Sequence, residues 1–237
     1  MTEKTALVVG GTSGIGLATA RRLRDGGATV HIVGRGKERL DAAAEDGLVA
    51  HRADGGDRAQ IAALAERIGR IDWLVVSLTG SEGVGAFADL DLDMLRRAFD
   101  AKFWAQVTTV QAVLPWLSEG GSITLLSAIT ARASMPGTAG IAALNGAVEA
   151  LVKPLAVELA PIRVNGVSPG VVDTPWWAGL PAEARSGYFA QVERTVPARH
   201  IGTAEEVAEL VAVAATNSNI TGTVLETDGG ARLVSIG

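Results

Sequence analysis

The turn Gly10-Gly-Thr-Ser-Gly14-Ile-Gly16 is the densest chemical signal in the chain. It follows a short apolar run and opens a segment with helical periodicity. Glycines let such a turn tighten and let backbone N–H groups approach a pyrophosphate. The partial positive charge of the following helix N-terminus favours the anion. With Thr12, Ser13 and Ile15, the glycines Gly10, Gly14 and Gly16 form a candidate dinucleotide-binding segment. About 20 residues further on, a carboxylate would hold the ribose 2′-hydroxyl of NAD. This chain has Gly34, then Arg35 and Lys37. The missing carboxylate removes a repulsion, and the Arg35 guanidinium can grip a phosphate in two places. The expected cofactor is NADP(H); the alternative for Arg35 is a solvated basic loop.

The elements that must position this turn are legible as alternating patterns. Apolar runs suited to buried parallel strands are Ala6 to Val9, Thr29 to Val33, Leu48 to His51, Trp73 to Val76, Ser122 to Leu126, Arg163 to Val167 and Thr223 to Glu226. Between them lie helical periods at Ile15 to Arg24, Arg58 to Ile68 and Met94 to Leu117. Thr203 and Glu206 form a capping box at the start of another helix. Alternation of this kind predicts an α/β fold: one Rossmann domain over residues 1–237, a doubly wound seven-stranded parallel sheet with helices on both faces. Ligands in such sheets bind beyond the carboxyl ends of the strands, so the loops after Val9, Val33, Ala53, Val76, Leu126 and Val167 are expected to line the site. The stretch from Pro169 to Gly202 reads as irregular. Residues 173–202 within it, which hold Trp176, Trp177 and Tyr188, are expected to form a substrate lid.

Composition narrows the classes of function. The net charge is −5, and Lys and Arg are spread along the chain rather than clustered, which argues against a nucleic-acid surface. The absence of cysteine rules out disulfides and thiolate metal sites. His31, His51 and His200 lie far apart in sequence, so no metal site is expected. The N-terminus carries no signal-peptide pattern, and the uncharged stretch Phe103 to Ser118 is too short to span a bilayer comfortably. A cytoplasmic protein acting on a small molecule, with no membrane or nucleic-acid partner, is the expectation.

With these motifs in place, the chain resembles the short-chain dehydrogenase/reductase family over nearly its whole length. The resemblance rests on the spaced glycines Gly10, Gly14 and Gly16, on Asp54 after the third strand, on Asn165-Gly-Val-Ser-Pro169-Gly170 with Val172-Asp-Thr174, and on Thr221-Gly-Thr-Val-Leu-Glu-Thr-Asp-Gly-Gly230. It implies that Asp54 lies against adenine and that Pro169, Gly170, Val172 and Thr174 pack against nicotinamide and its amide. It also implies that Ser77, in the segment after the fourth strand, touches the cofactor. Family members usually pair through two long helices, here roughly Leu92 to Leu117 and Ile141 to Leu159, so a homodimer or homotetramer is expected.

The catalytic half departs from the family. Counting back from Val148-Glu-Ala-Leu151, the family's tyrosine position falls on Ile141 and its lysine position on Asn145. The serine position falls on Ala128, next to Ser127, and the helix asparagine aligns with Lys102. Ile141 cannot donate a proton, whereas Asn145 can still hydrogen-bond a ribose hydroxyl. Lys102, with a pKa lowered by burial, is a candidate proton donor, and Ser127 a candidate for binding a substrate oxygen. The bland alternatives are an ion-paired or snorkelling Lys102 and a Ser127 that satisfies backbone groups. Tyr188 either swings into the site or packs in the lid. Thr130 and Arg132 follow the fifth strand near the pocket, with Arg132 a candidate partner for an anionic substrate. The expected activity is hydride transfer between NADP(H) and a small carbonyl or conjugated compound. The competing readings are a catalytically silent NADP(H) sensor or scaffold, and a non-redox isomerase or lyase using Lys102 as base.

Overall fold

The computed structural model describes residues 3–80 and 82–234. Seven parallel strands form the sheet: β1 (Thr5–Val9), β2 (Thr29–Gly34), β3 (Val49–Arg52), β4 (Ile71–Val76), β5 (Leu117–Leu126), β6 (Arg163–Pro169) and, last in the chain, β9 (Val224–Thr227). Their order is β3-β2-β1-β4-β5-β6-β9. The chain winds outward from β1 through β3, then returns to the other side of β1 with β4. That reversal opens a crevice between the carboxyl ends of β1 and β4, where ligands of such sheets bind.

The helices are α1 (Gly14–Asp25), α2 (Lys37–Glu45), α3 (Arg58–Ile68), α4 (Leu92–Phe99), α5 (Ala105–Val113), α6 (Ala139–Glu158), α7 (Ala182–Thr195) and α8 (Ala204–Thr216). The period-two rule distributes β1 between two cores. Ala6 and Val8 face a layer that contains Leu23 of α1, Leu40 of α2 and Val207 and Val211 of α8. Leu7 and Val9 face Ile61 and Leu64 of α3, Val110 and Val113 of α5 and Val148 of α6. Both faces are covered, which is why the strands read as continuous apolar runs. By length and composition α6 could cross a membrane. In the fold its Leu144, Asn145, Val148 and Val152 are buried.

The capping box predicted at Thr203 is present: its hydroxyl accepts from Glu206 N and the Glu206 carboxylate accepts from Thr203 N. Two expectations are corrected. The predicted helix from Met94 to Leu117 is α4, a single π-helical turn at Asp100–Trp104, then α5, ending in a 3₁₀ turn at Leu114–Trp116. Pro115 lacks the N–H needed to continue the helix, and Leu117 and Ser118 already belong to β5. The stretch read as irregular after Pro169 is ordered. The two-residue strands β7 (Val172–Asp173) and β8 (Gly202–Thr203) pair in parallel and enclose a 3₁₀ turn, Pro175–Gly179, and the 14-residue α7.

Candidate active site

The glycine turn sits at the reversal point of the sheet. A Cβ at Gly10, whose φ is +86°, would meet the carbonyl oxygen of Ser77 at 2.5 Å, and one at Gly16 would overlap the carbonyl oxygen of Gly10. Backbone therefore packs against backbone where β1, β4 and α1 converge, and only glycine fits. Ser13 adopts an extended N-cap conformation without a side-chain capping bond, and the first turn of α1 holds no acidic residue. The first N–H groups of α1, at Gly14, Ile15 and Gly16, are thus left for an anion. Gly14 has φ +50°, and the Thr174 side chain lies 3.4 Å from where its Cβ would be. The segment after β7 therefore closes on this turn.

The ribose end is equally restrictive. A Cβ at Gly34 would overlap Thr12 Cγ2, so any larger residue there would have to displace the Thr12 side chain. Arg35 is exposed, with its Nη1 3.9 Å from Asp54 Oδ2. Arg52, at the end of β3, donates from Nε to the Arg35 carbonyl at 3.2 Å. Lys37 is held by Asp41 at 2.6 Å, and the Arg39 guanidinium lies 3.4 Å from where a Gly36 Cβ would stand, so Arg35, Arg39 and Arg52 are the cations of this corner. Asp54 orders its own turn by accepting from Gly56 N at 2.9 Å. Gly170 donates its N–H to the Thr227 carbonyl, and Val172 is buried in β7. The glycine cradle, the open N-terminus of α1 and the basic corner fit a dinucleotide carrying a 2′-phosphate.

Beyond the carboxyl end of β5 the structure brings together Lys102, Ser127 and Asn145. Lys102 comes from the π turn and is 6% exposed. Its Nζ donates to the Ser127 carbonyl at 3.0 Å and to Asn145 Oδ1 at 2.6 Å. Burial pulls the Lys102 ammonium down from 10.5 to about 8, against an opposing pull from the Glu149 carboxylate. It is neither snorkelling nor directly ion-paired. Asn145 donates from Nδ2 to Thr130 Oγ1 at 2.9 Å and to the Ile141 carbonyl at 2.9 Å. The Ser127 hydroxyl points elsewhere, donating to Glu149 Oε1 at 2.8 Å. Ala128, beside it, presents only a methyl group. Ile141 packs beneath the loop after β4, its Cγ2 3.0 Å from where a Gly83 Cβ would stand.

Glu149 is the residue that reading the sequence missed. Its second oxygen accepts from Arg132 Nε at 2.8 Å, and Arg132 also pairs with Glu226. Glu226 binds Arg232, which reaches Asp228 at 2.9 Å. Arg132 is therefore held between two carboxylates rather than facing a substrate, and both partners hold it firmly in its charged form even though burial opposes this. The signal was available: Glu149 lies one helical turn after Asn145, an acid on the stripe of α6 that carries Leu144 and Val148 inward.

The segment expected to form a lid is tied to the loop after β4 and to β7. Trp176 donates from Nε1 to the Gly80 carbonyl at 3.0 Å, and Trp177 to the Val172 carbonyl at 2.9 Å. Tyr188 packs on Trp177 with ring centroids 5.3 Å apart, and burial raises its pKa. It is a packing residue here and lies outside the Lys102 cluster. His31 and His51, distant in sequence, meet on adjacent strands with Nδ1 and Nε2 2.8 Å apart.

A dinucleotide cradle beside a buried polar cluster, on a sheet wound in this order, is the architecture of a nucleotide-dependent oxidoreductase. The family model described as enoyl-(acyl carrier protein) reductase matches residues 9–232, and the chain belongs to the short-chain dehydrogenase/reductase family. It is 34% identical to the cis-4-hydroxycyclohexanecarboxylate dehydrogenase of Sinomonas cyclohexanicum, over 96% of each chain. Among solved structures, a small-chain dehydrogenase in complex with NADPH aligns with TM-score 0.86 and 36% identity, over 98% of this chain and 100% of that one. BdcA in complex with NADPH aligns with TM-score 0.84 and 30% identity, over 98% and 95%.

Proposed function

We propose that this oxidoreductase uses NADP(H) and reduces a small carbonyl or conjugated compound with an unconventional proton-transfer site built on Lys102. The observation that carries the reading is a buried ammonium 2.6 Å from Asn145 and 3.0 Å from the Ser127 carbonyl. NADP(H) is preferred to NAD(H) because Arg35 and Arg52 flank the 2′ corner and position 34 is a glycine with no carboxylate to repel a phosphate. Two structural relatives described as NADPH complexes support the same choice.

When bound, NADPH supplies the hydride, so one carbonyl, one NADPH and one proton give one alcohol and NADP⁺. The remaining work falls to the chain. Gly10 to Gly16 hold the pyrophosphate on the N-terminus of α1, assisted by Thr174. Pro169, Gly170 and Val172 would line the nicotinamide side, and Ser77 would touch the cofactor from the loop after β4. Lys102 places a positive charge where negative charge develops on the substrate oxygen, and a pKa of about 8 leaves it charged at neutral pH yet able to release its proton. Asn145 holds that ammonium in place. Ser127 contributes its carbonyl to Lys102, and its hydroxyl binds Glu149, so it is a positioning residue. The dehydrogenase relative is named for cis-4-hydroxycyclohexanecarboxylate, which makes cyclic ketones the first substrates to try. Pairing of copies is supported by apolar side chains left exposed along the helices that family members use: Leu92, Trp104 and Val157.

The test is turnover of NADPH against cyclic ketones, quinones and enones, with wild type and Lys102→Ala. Cofactor oxidation that requires Lys102 supports the reading. Saturable NADPH binding without turnover by wild type would favour a silent sensor or scaffold, the reading to which Ile141 at the tyrosine position points. Failure to bind NADPH would refute both.

A further inference from the structure

The hydrogen bonds around Asn145 run in one direction. An ammonium has donors only, so Lys102 fixes Asn145 with Oδ1 toward it. Both Nδ2 protons are then committed, one to the Ile141 carbonyl and one to Thr130 Oγ1. Thr130 thus receives a bond from a side chain that is itself polarised by a cation. Its own hydroxyl proton has no acceptor among the described residues, although Thr130 is only 8% exposed. Lys102 is in the same position: two of its three protons are placed, on Ser127 and Asn145, and the third is unassigned. Two uncommitted donors therefore remain in one buried cluster beyond the end of β5. Buried donors left without a protein acceptor are uncommon and call for one from outside the protein.

We propose that Thr130 is the substrate-facing donor of this site, hydrogen-bonding the substrate's carbonyl oxygen beside the free proton of Lys102. The inference deepens the reductase reading and rests on it. Thr130 forms no covalent bond. Lys102 strengthens it through Asn145, because each donor in a chain polarises the next. The site is then a donor chain that runs from Lys102 through Asn145 to Thr130, a threonine of the 3₁₀ turn Ile129–Ala131, two residues beyond Ala128.

The experiment compares wild type, Thr130→Val and Thr130→Ser, with Lys102→Met alongside. Two quantities are read: kcat/KM for cyclohexanone with NADPH, and the affinity of the NADPH-loaded protein for cyclohexanecarboxamide, a carbonyl it cannot reduce, followed by nicotinamide fluorescence. Valine keeps the shape of threonine and removes the donor. The expected loss in kcat/KM is about 100-fold, the scale of one oxyanion donor. Carboxamide affinity is expected to fall about tenfold, as for a hydrogen bond of ordinary strength. The NADPH Kd should stay the same, which also shows that the variant is folded, and Thr130→Ser should recover most of both losses. Unchanged kcat/KM in Thr130→Val, with turnover still lost in Lys102→Met, would overturn the Thr130 assignment and leave the reductase reading standing. If wild type reduces no carbonyl, the reductase reading fails and the carboxamide decides alone: equal affinity for wild type and Thr130→Val, or binding to neither, overturns the proposal.

Discussion

Replacing Lys102 by methionine isolates what it costs to keep an ammonium inside this protein. Methionine preserves the flexible apolar stem and removes the charge. Burial lowers the Lys102 pKa from 10.5 to about 8. Below about 8 the folded and unfolded chains both hold the proton. Between there and 10.5 only the unfolded chain does, so wild-type stability rises with pH across this window. At about 1.4 kcal/mol per tenfold change, the interval corresponds to roughly 3 kcal/mol. At pH 7 two effects oppose each other in Lys102→Met. The buried charge is gone, but the Ser127 carbonyl and Asn145 Oδ1 lose their donor, at about 1–3 kcal/mol each. The informative quantity is therefore the change in the wild-type-to-variant gap between pH 7 and pH 10, because every other titrating group cancels. Urea unfolding followed by tryptophan fluorescence at the two pH values measures it. Because pH 10 stops short of 10.5, wild type should gain roughly 2.5 kcal/mol relative to Lys102→Met. Gaps equal to within about 0.5 kcal/mol would refute the reasoning, since an ammonium with an ordinary pKa contributes no such slope below pH 10. The same protonation predicts that carbonyl reduction slows as pH rises through about 8.

Arg35→Ala should weaken NADPH by about tenfold and leave NADH nearly unchanged, as expected for an exposed charged contact to phosphate; equal losses in paired fluorescence titrations would contradict the 2′-phosphate assignment. Gly16→Ala forces a Cβ into the Gly10 carbonyl, so NADPH binding should be lost or the protein should fail to express folded, as read by titration and circular dichroism. His31 and His51 have pKa values lowered by burial, with His51 further depressed by His31 and Arg67. The unfolded chain therefore takes up their protons first, and stability contributed above pH 6.5 is lost as pH falls below it. His51→Gln should flatten that acid limb in unfolding curves at pH 5 and pH 7, and an unchanged limb would show that the pair does not carry it.

The strands were legible because a parallel sheet covered on both faces demands uninterrupted apolar runs, and each predicted run became a strand with ends moved by a few residues. The cofactor turn was legible for a related reason: a constraint on backbone approach leaves glycines in the sequence itself. The π turn at Asp100–Trp104 was not. Periodicity reports which side chains share a face, and it cannot show that one hydrogen bond has lengthened its loop by a residue. Ser127 shows the same limit at the level of one side chain. Its neighbour in the alignment suggested substrate contact, but only the packing of α6 on β5 reveals that the hydroxyl meets Glu149.

Lys102 and Asn145, which the family resemblance sets at its asparagine and lysine positions, are better understood together than singly. An ammonium at position 102 facing a second at position 145 would put two positive charges about 3 Å apart in a buried site, and the repulsion would empty one of them. Two asparagines would keep the bond and lose the charge. Lysine at 102 with asparagine at 145 keeps one donor-only group against one amide, and the 2.6 Å contact between them shows the pair satisfied. What the pairing sets is where the amide's remaining hydrogens point. With the charge entering from the π turn, Asn145 passes its polarisation toward Thr130 and the loop after β5. On the proposed reading, the proton-transfer half of this site is a different circuit: its charge sits at Lys102, Ile141 fills the position that the family resemblance gives to the tyrosine, and the outlet is Thr130.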